Sequence, residues 1–285
     1  MTDGGIVAAR AVNYITLLLT AGLPLYWLTA GGSFAVSHRC RAALLLLALA
    51  GAGASVWWVL ASVAAMAGLP IAQLDREMVT AVLGATPLGD VVPIRLGALA
   101  LVVLAIPLRL PSRLIALPAA VALATAAWTG HAGASQGAAG SFHRLADIIH
   151  LLAAATWLGA LAMLLASVMG PADPRELERR LAGFATTGTG IVVLLLVTGI
   201  ANSLFIAGWP IPLNSTWALL LGVKLALFAG MLGIAALNRC RLTPALRDGT
   251  PGARHALRLS LAGEAGVGLA VVALVSVLGV LDPVA

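Results

Sequence analysis

Long apolar runs dominate this chain and leave it few ways to fold. A helix needs about 20 predominantly apolar residues to cross the hydrocarbon core of a bilayer. Runs bounded by charge or by Pro/Gly clusters lie at roughly 10–30, 42–66, 91–109, 113–131, 144–169, 184–207, 216–238 and 257–281. Hydrocarbon offers no water to bond backbone N–H and C=O groups, so such runs are helices. Composition agrees: of 285 residues, 61% are hydrophobic and 10% are charged, against about 25% charged in soluble domains. The sequence therefore predicts an all-α polytopic membrane protein with eight transmembrane helices, all within one transmembrane domain over residues 1–285. The stretch 67–90 is too polar to span and predicts a short helix at the surface. No basic region precedes the first run, so it reads as a permanent helix rather than a cleaved signal.

Basic residues give the orientation. Arg39, Arg41, Arg109, Arg113, Arg175, Arg179, Arg180, Arg239, Arg241, Arg247, Arg254 and Arg258 fall in one set of loops. Arg10, Arg76, Arg95 and Arg144 fall on the other side, and Lys224 lies within a span. The positive-inside rule puts the Arg-rich loops in the cytoplasm and both termini outside, on the periplasmic side. The net charge of +6 is then a topology signal, not a nucleic-acid one. Cys40 and Cys240 fall in the inside loops, where a disulfide is not expected.

A weak internal echo aligns RAVNYITLLL of the first span with RLADIIHLLA of the fifth. In that register Arg10 matches Arg144, Asn13 matches Asp147 and Thr16 matches His150. Arg95 and Lys224 sit early in the third and seventh spans. This predicts a parallel 4+4 repeat, with a first half over 1–131 and a second over 142–281.

Polar groups inside a bilayer are costly and mark function. The densest group is WTGHAGASQGAAGSFHRLADIIHLLAAATWLG. His131 ends the fourth span, and His143, Asp147 and His150 follow at i, i+4 and i+7 on one helix face. Imidazole suits copper, zinc, iron and nickel, so these four are the candidate metal site. His143 and His150 are about 10 Å apart along the axis, too far for one ion with bonds near 2 Å. An outer position at His131 and His143 and a deeper one at Asp147 and His150 are expected. The small, polar residues 132–142 read as a connection that lets His131 swing inward. Trp157, two turns below His150, reads as packing or as a cap beneath the site. Met163 and Met169 offer thioethers toward the inside. Lys224 and Glu264 are intramembrane charges, entering from opposite faces, that serve as structural contacts or as an ion relay. There is no GxxxxGK[ST], no DKTG-like sequence, no serine-hydrolase elbow and no HExxH. No enzyme activity is expected.

The run DIIHLLAAATWLGALAMLL resembles the His-Leu-x-x-x-x-x-Trp-x-Gly helix of the CopD/PcoD copper-resistance membrane proteins. RRLAGFATTGTGIVVLLLVTGIANSLFIAG and STWALLLGVKLALFAGMLGIAALNRCRLTPALR are similar to the family's Thr-Gly-rich span, its Lys-containing span ending in Asn-Arg, and its Pro-containing basic loop. The likeness is strongest over about 142–280. One departure is Gly159-Ala160, where the family often has Gly-Gly. The resemblance implies copper homeostasis at the bacterial inner membrane, with copper ions bound by the outer histidines. It also implies a periplasmic CopC-like copper carrier, here a separate protein because no β-rich segment is present. An outer site served by a carrier points to uptake, with Asp147, Lys224 and Glu264 as coupling groups. Two other functions are consistent with the residues: a b-type haem protein ligated by His131 and His150, and a docking partner of the carrier that moves no copper.

Overall fold

The computed structural model describes residues 4–29, 37–171 and 173–283. The described residues form helices α1 (Gly4–Thr29), α2 (His38–Ala67), α3 (Arg76–Ala85), α4 (Leu88–Ala105), α5 (Ser112–Ala124), α6 (His131–Ala134), α7 (Gly137–Met169), α8 (Pro174–Ala207), α9 (Thr216–Leu237), α10 (Thr243–Arg247) and α11 (Ala253–Leu278). Seven are long and apolar enough to cross a membrane: α1, α2, α4, α7, α8, α9 and α11. Helix α5 is shorter, at 13 residues, and continues as a four-residue 3-10 turn, Thr125–Trp128. The expected surface helix within 67–90 is α3, which Asp75 starts by accepting from the Met78 N–H at 2.7 Å. Residues 31–36 of the first basic loop lie outside the described residues.

The apolar runs fix the helices, and polar side chains fix their ends. Ser37 caps α2, Asp173 caps α8 ahead of Pro174, and Ser215 caps α9. Each supplies an oxygen to an N–H that has no partner within its helix. Three helices begin well before the point that charge alone predicted. Helix α1 runs through Arg10, and α7 starts at Gly137, ahead of His143 and Arg144. The segment 132–142 is therefore not a mobile linker: it holds α6 and the first turns of α7. Helix α8 likewise extends back over Glu176, Arg179 and Arg180.

Helices α1 and α7 are the centre of the bundle, and each packs on several neighbours. They cross where Gly22 faces Ala155 and Gly159. A Cβ added at Gly159 would lie 2.2 Å from the Gly22 carbonyl, so glycine is what lets the backbones meet. Leu17, Leu18, Tyr26, Trp27, Trp157, Leu161 and Leu164 fill the core around the crossing. Helix α8 packs on α7 and α9 packs on α11, and cavities lie between α8 and α9.

The bundle has two chemically distinct ends. At one, Arg254 donates to the Val168 and Gly170 carbonyls, and Arg180 donates to Ser167 at 2.9 Å. This is the basic end. At the other, Arg10 of α1 donates to the Gly279 carbonyl at 3.0 Å, so the starts of α1 and α7 and the end of α11 share the histidine end.

Candidate metal-binding cavity

A cavity of about 170 Å³ opens at the histidine end, and every residue of the expected metal group lines it. His131 comes from α6, His143, Asp147 and His150 from α7, Arg10 from α1 and Lys224 from α9. Among the described residues, no three His, Cys, Asp or Glu side chains lie close enough to enclose a metal ion. The cavity thus gathers the ligand types without clamping them around one point.

Each histidine is held by one ring nitrogen. The Thr198 hydroxyl donates to the Leu194 carbonyl, so it accepts from His150 Nδ1–H at 2.9 Å. The Ser135 hydroxyl donates to the His131 carbonyl at 3.4 Å and accepts from His143 Nδ1–H at 2.9 Å. The His143 ring also stacks on Phe205, with centroids 5.0 Å apart. His131 Nε2 donates to the Leu278 carbonyl at 3.3 Å. A neutral imidazole has one donor nitrogen and one lone-pair nitrogen. These bonds leave the lone pair on Nε2 of His143 and His150 and on Nδ1 of His131. That is how proteins orient metal-ligating imidazoles, through a partner on the other nitrogen. Asp147 Oδ1 accepts from Asn202 Nδ2 at 3.3 Å.

Two basic side chains border the same space. The Arg10 guanidinium lies 5.5 Å from the Tyr14 ring centroid and tight against Gly279. Lys224 faces Asp147 and His150 across the cavity. Lys224 and Glu264, which enter from opposite faces, do not meet. Glu264 lies toward the basic end, where it accepts from Trp157 Nε1 at 2.9 Å and from Asn238 Nδ2 at 3.0 Å. Lys224 and Glu264 project from helices of opposite direction, so each keeps to its own half of the bundle. Trp157 is thus both packed and bonded. Met163 is buried in the core, Met169 is exposed at the end of α7, and neither lines any of the four cavities described.

Sequence reasoning missed Ser135, Thr198 and Asn202. A signal existed for the last two. They are polar, at i and i+4, within an otherwise apolar span, where hydroxyls and amides go unused unless they bond across helices.

Contacts of similar kind join α1 and α2. Ser55 of α2 donates to Asn13 of α1 at 2.9 Å, as Asn202 of α8 donates to Asp147 of α7. Gly51 lies beside Thr16, as Thr198 lies beside His150.

Comparison with known proteins identifies the relatives. Residues 1–142 match the family described as "Copper resistance protein D-like, N-terminal domain", and residues 178–278 match "Copper resistance protein D". The chain is 36% identical over 258 residues to "Copper resistance protein D" of Pseudomonas syringae pv. tomato, covering 84% of this chain and 78% of that one. It is 30% identical over 159 residues to "Inner membrane protein YebZ" of Escherichia coli (strain K12), covering 55% of each. No solved structure matches. The chain belongs to the copper resistance protein D family and is a multi-pass protein of the inner membrane.

Proposed function

We propose that this protein carries copper across the inner membrane, inward, from the cavity at the histidine end. The observation that carries the reading is the set of three imidazoles in one cavity, each pinned by one nitrogen and each left with a lone pair on the other. The histidine end is then periplasmic, with both termini there, and the basic end is cytoplasmic, in accord with the positive-inside rule. On this reading α5 with its 3-10 turn is the eighth crossing. His131 and His143 receive the ion, and Asp147 and His150 hold it deeper. Met163 and Met169 play no part in the path.

The charges suggest how transport is coupled. Copper arriving beside Lys224 repels its ammonium, which favours loss of the lysine proton. A proton leaves as a metal enters, and Asp147 balances whichever cation remains. The two halves, 1–131 and 142–281, are parallel repeats on this reading. The second half holds the ligands, and Asn13 and Thr16 stand where Asp147 and His150 would be. A separate CopC-like carrier delivers the copper.

A cavity of about 170 Å³ is small beside the 300–1,000 Å³ usual for organic ligands, which disfavours haem between His131 and His150. Whole-cell copper, measured by elemental analysis at matched protein level, tests the proposal. Wild type should raise it, and His131→Ala/His143→Ala/His150→Ala should not. Lower copper with wild type would make the protein an exporter. No change with either would leave docking without transport.

A further inference from the structure

The basic end holds a second buried charge, which the copper cavity does not use. A cavity of about 410 Å³ lies there between α7, α8, α11 and the end of α9, and Glu264 and Asn238 line it. The helix widens into a π-type turn at Asn238–Leu242, a feature frequent at functional sites. That turn brings Asn238 against α11. Glu264 is 2% exposed and Asn238 is 6% exposed. The two oxygens of Glu264 each accept one N–H, from Trp157 and from Asn238. Both oxygens are thus held by N–H donors, and each keeps further acceptor capacity toward the cavity.

The Glu264 carboxyl has no charged partner. Among the described residues, no basic side chain forms an ion pair with Glu264. The other charged group on the cavity wall, Arg239, turns to the Ala185 carbonyl and Thr189 Oγ1. Lys224 lines a different space, and Trp157 forms part of the partition between them. The cavity also has an excess of acceptors. Asn238 Oδ1 is buried without a partner, and the carboxylate keeps about two of its four lone-pair positions. A buried carboxyl without a charged partner and an unpaired amide oxygen at membrane depth are both costly unless something compensates them.

We infer that this cavity is a cation site, in which the Glu264 carboxylate and Asn238 Oδ1 bind a hard monovalent ion, Na⁺, that enters from the basic end. Oxygen donors without imidazole suit a hard ion rather than copper. Cys240 lines the cavity but is not required. The Trp157 indole bonds to Glu264 and also lines a neighbouring apolar space bordered by His150 and Lys224, so ion occupancy is linked to the copper cavity through that space. That link rests on the transport proposed above; the ion site itself does not.

Thermal unfolding of the purified protein in detergent tests the site, with NaCl replaced by choline chloride at constant ionic strength. Na⁺ should raise the unfolding temperature of wild type by a few degrees and that of Cys240→Ser equally. Glu264→Gln and Asn238→Leu should lose the shift. Where either variant fails to fold, wild type is compared with Trp157→Phe by tryptophan fluorescence: a saturable Na⁺ response present only in wild type supports the site. A wild type indifferent to Na⁺ overturns it, as does a shift retained in both variants; a response to pH alone makes Glu264 a proton site instead. Copper flux into vesicles is scored separately. Absent flux with an intact Na⁺ shift would refute the transport reading and leave the ion site standing.

Discussion

Replacing Thr198 by Val tests whether the imidazole partners matter. Val keeps the shape of Thr and removes one hydroxyl. The α8 backbone bond is untouched, because the Thr198 side chain supplements the helix rather than forming it. What is lost is the acceptor 2.9 Å from His150 Nδ1. The ring then loses its side-chain partner and keeps only its bond to the Leu195 backbone, so its tautomer is held less firmly. Loss of such an outer partner typically costs 10–100-fold in metal affinity, or about 1.4–2.7 kcal/mol. Leaving a buried N–H unpaired costs about 1–3 kcal/mol of stability as well. The assay is competition for copper between purified protein and a chromophoric chelator, run for each oxidation state. Thr198→Ser keeps the hydroxyl and should bind like wild type. If Thr198→Val binds like wild type while His150→Ala is weakened, the argument from the pinned nitrogen is wrong. If His150→Ala also binds normally, copper does not bind in this cavity.

Gly159→Ala places a methyl 2.2 Å from the Gly22 carbonyl, where ordinary contact begins at 3.4 Å. Helices α1 and α7 must part, at about 1–3 kcal/mol, and the unfolding temperature in detergent should fall; an unchanged value would mean the helices do not cross there. Lys224→Met should release fewer protons than wild type when copper is added in weak buffer, followed with a pH dye, and an equal count would remove Lys224 from the coupling. Met163→Leu with Met169→Leu should leave copper accumulation within about twofold of wild type, since such swaps usually cost under 1.5 kcal/mol; a collapse of uptake at normal expression would restore the thioethers to the path.

The helices were legible because bilayer length and apolar runs leave so little choice. The grouping of His143, Asp147 and His150 was legible for a similar reason, since helical periodicity alone puts them on one face. What joined them was not. Arg10, Lys224 and His131 reach the cavity from three other helices, and no local pattern says which helices pack together. Lys224 and Glu264 show the limit most clearly. Two intramembrane charges of opposite sign invite pairing by type, yet the depth of each along its own helix keeps them apart. Asn238, read only as part of a basic loop motif, became Glu264's partner through a π-type turn that spacing rules for an α-helix do not anticipate. The start of α1 ran long because Arg10, a charge that would end a lipid-facing helix, faces a polar cavity, and that of α7 because Arg144 bonds the Ser135 carbonyl.

The bond between Arg10 and the Gly279 carbonyl has a consequence for biosynthesis. It joins α1 to the end of α11, and the Leu278 carbonyl that holds His131 arrives at the same moment. Roughly 130 residues separate His150 from Gly279, which at about 5–20 residues per second is some 6–26 s of translation. Throughout that interval the three histidines are already in the membrane, but the wall behind them is missing. A ribosome that stalls before α11 releases a chain with the imidazoles of a copper site and no enclosure around them. Closure of the cavity therefore waits for α11.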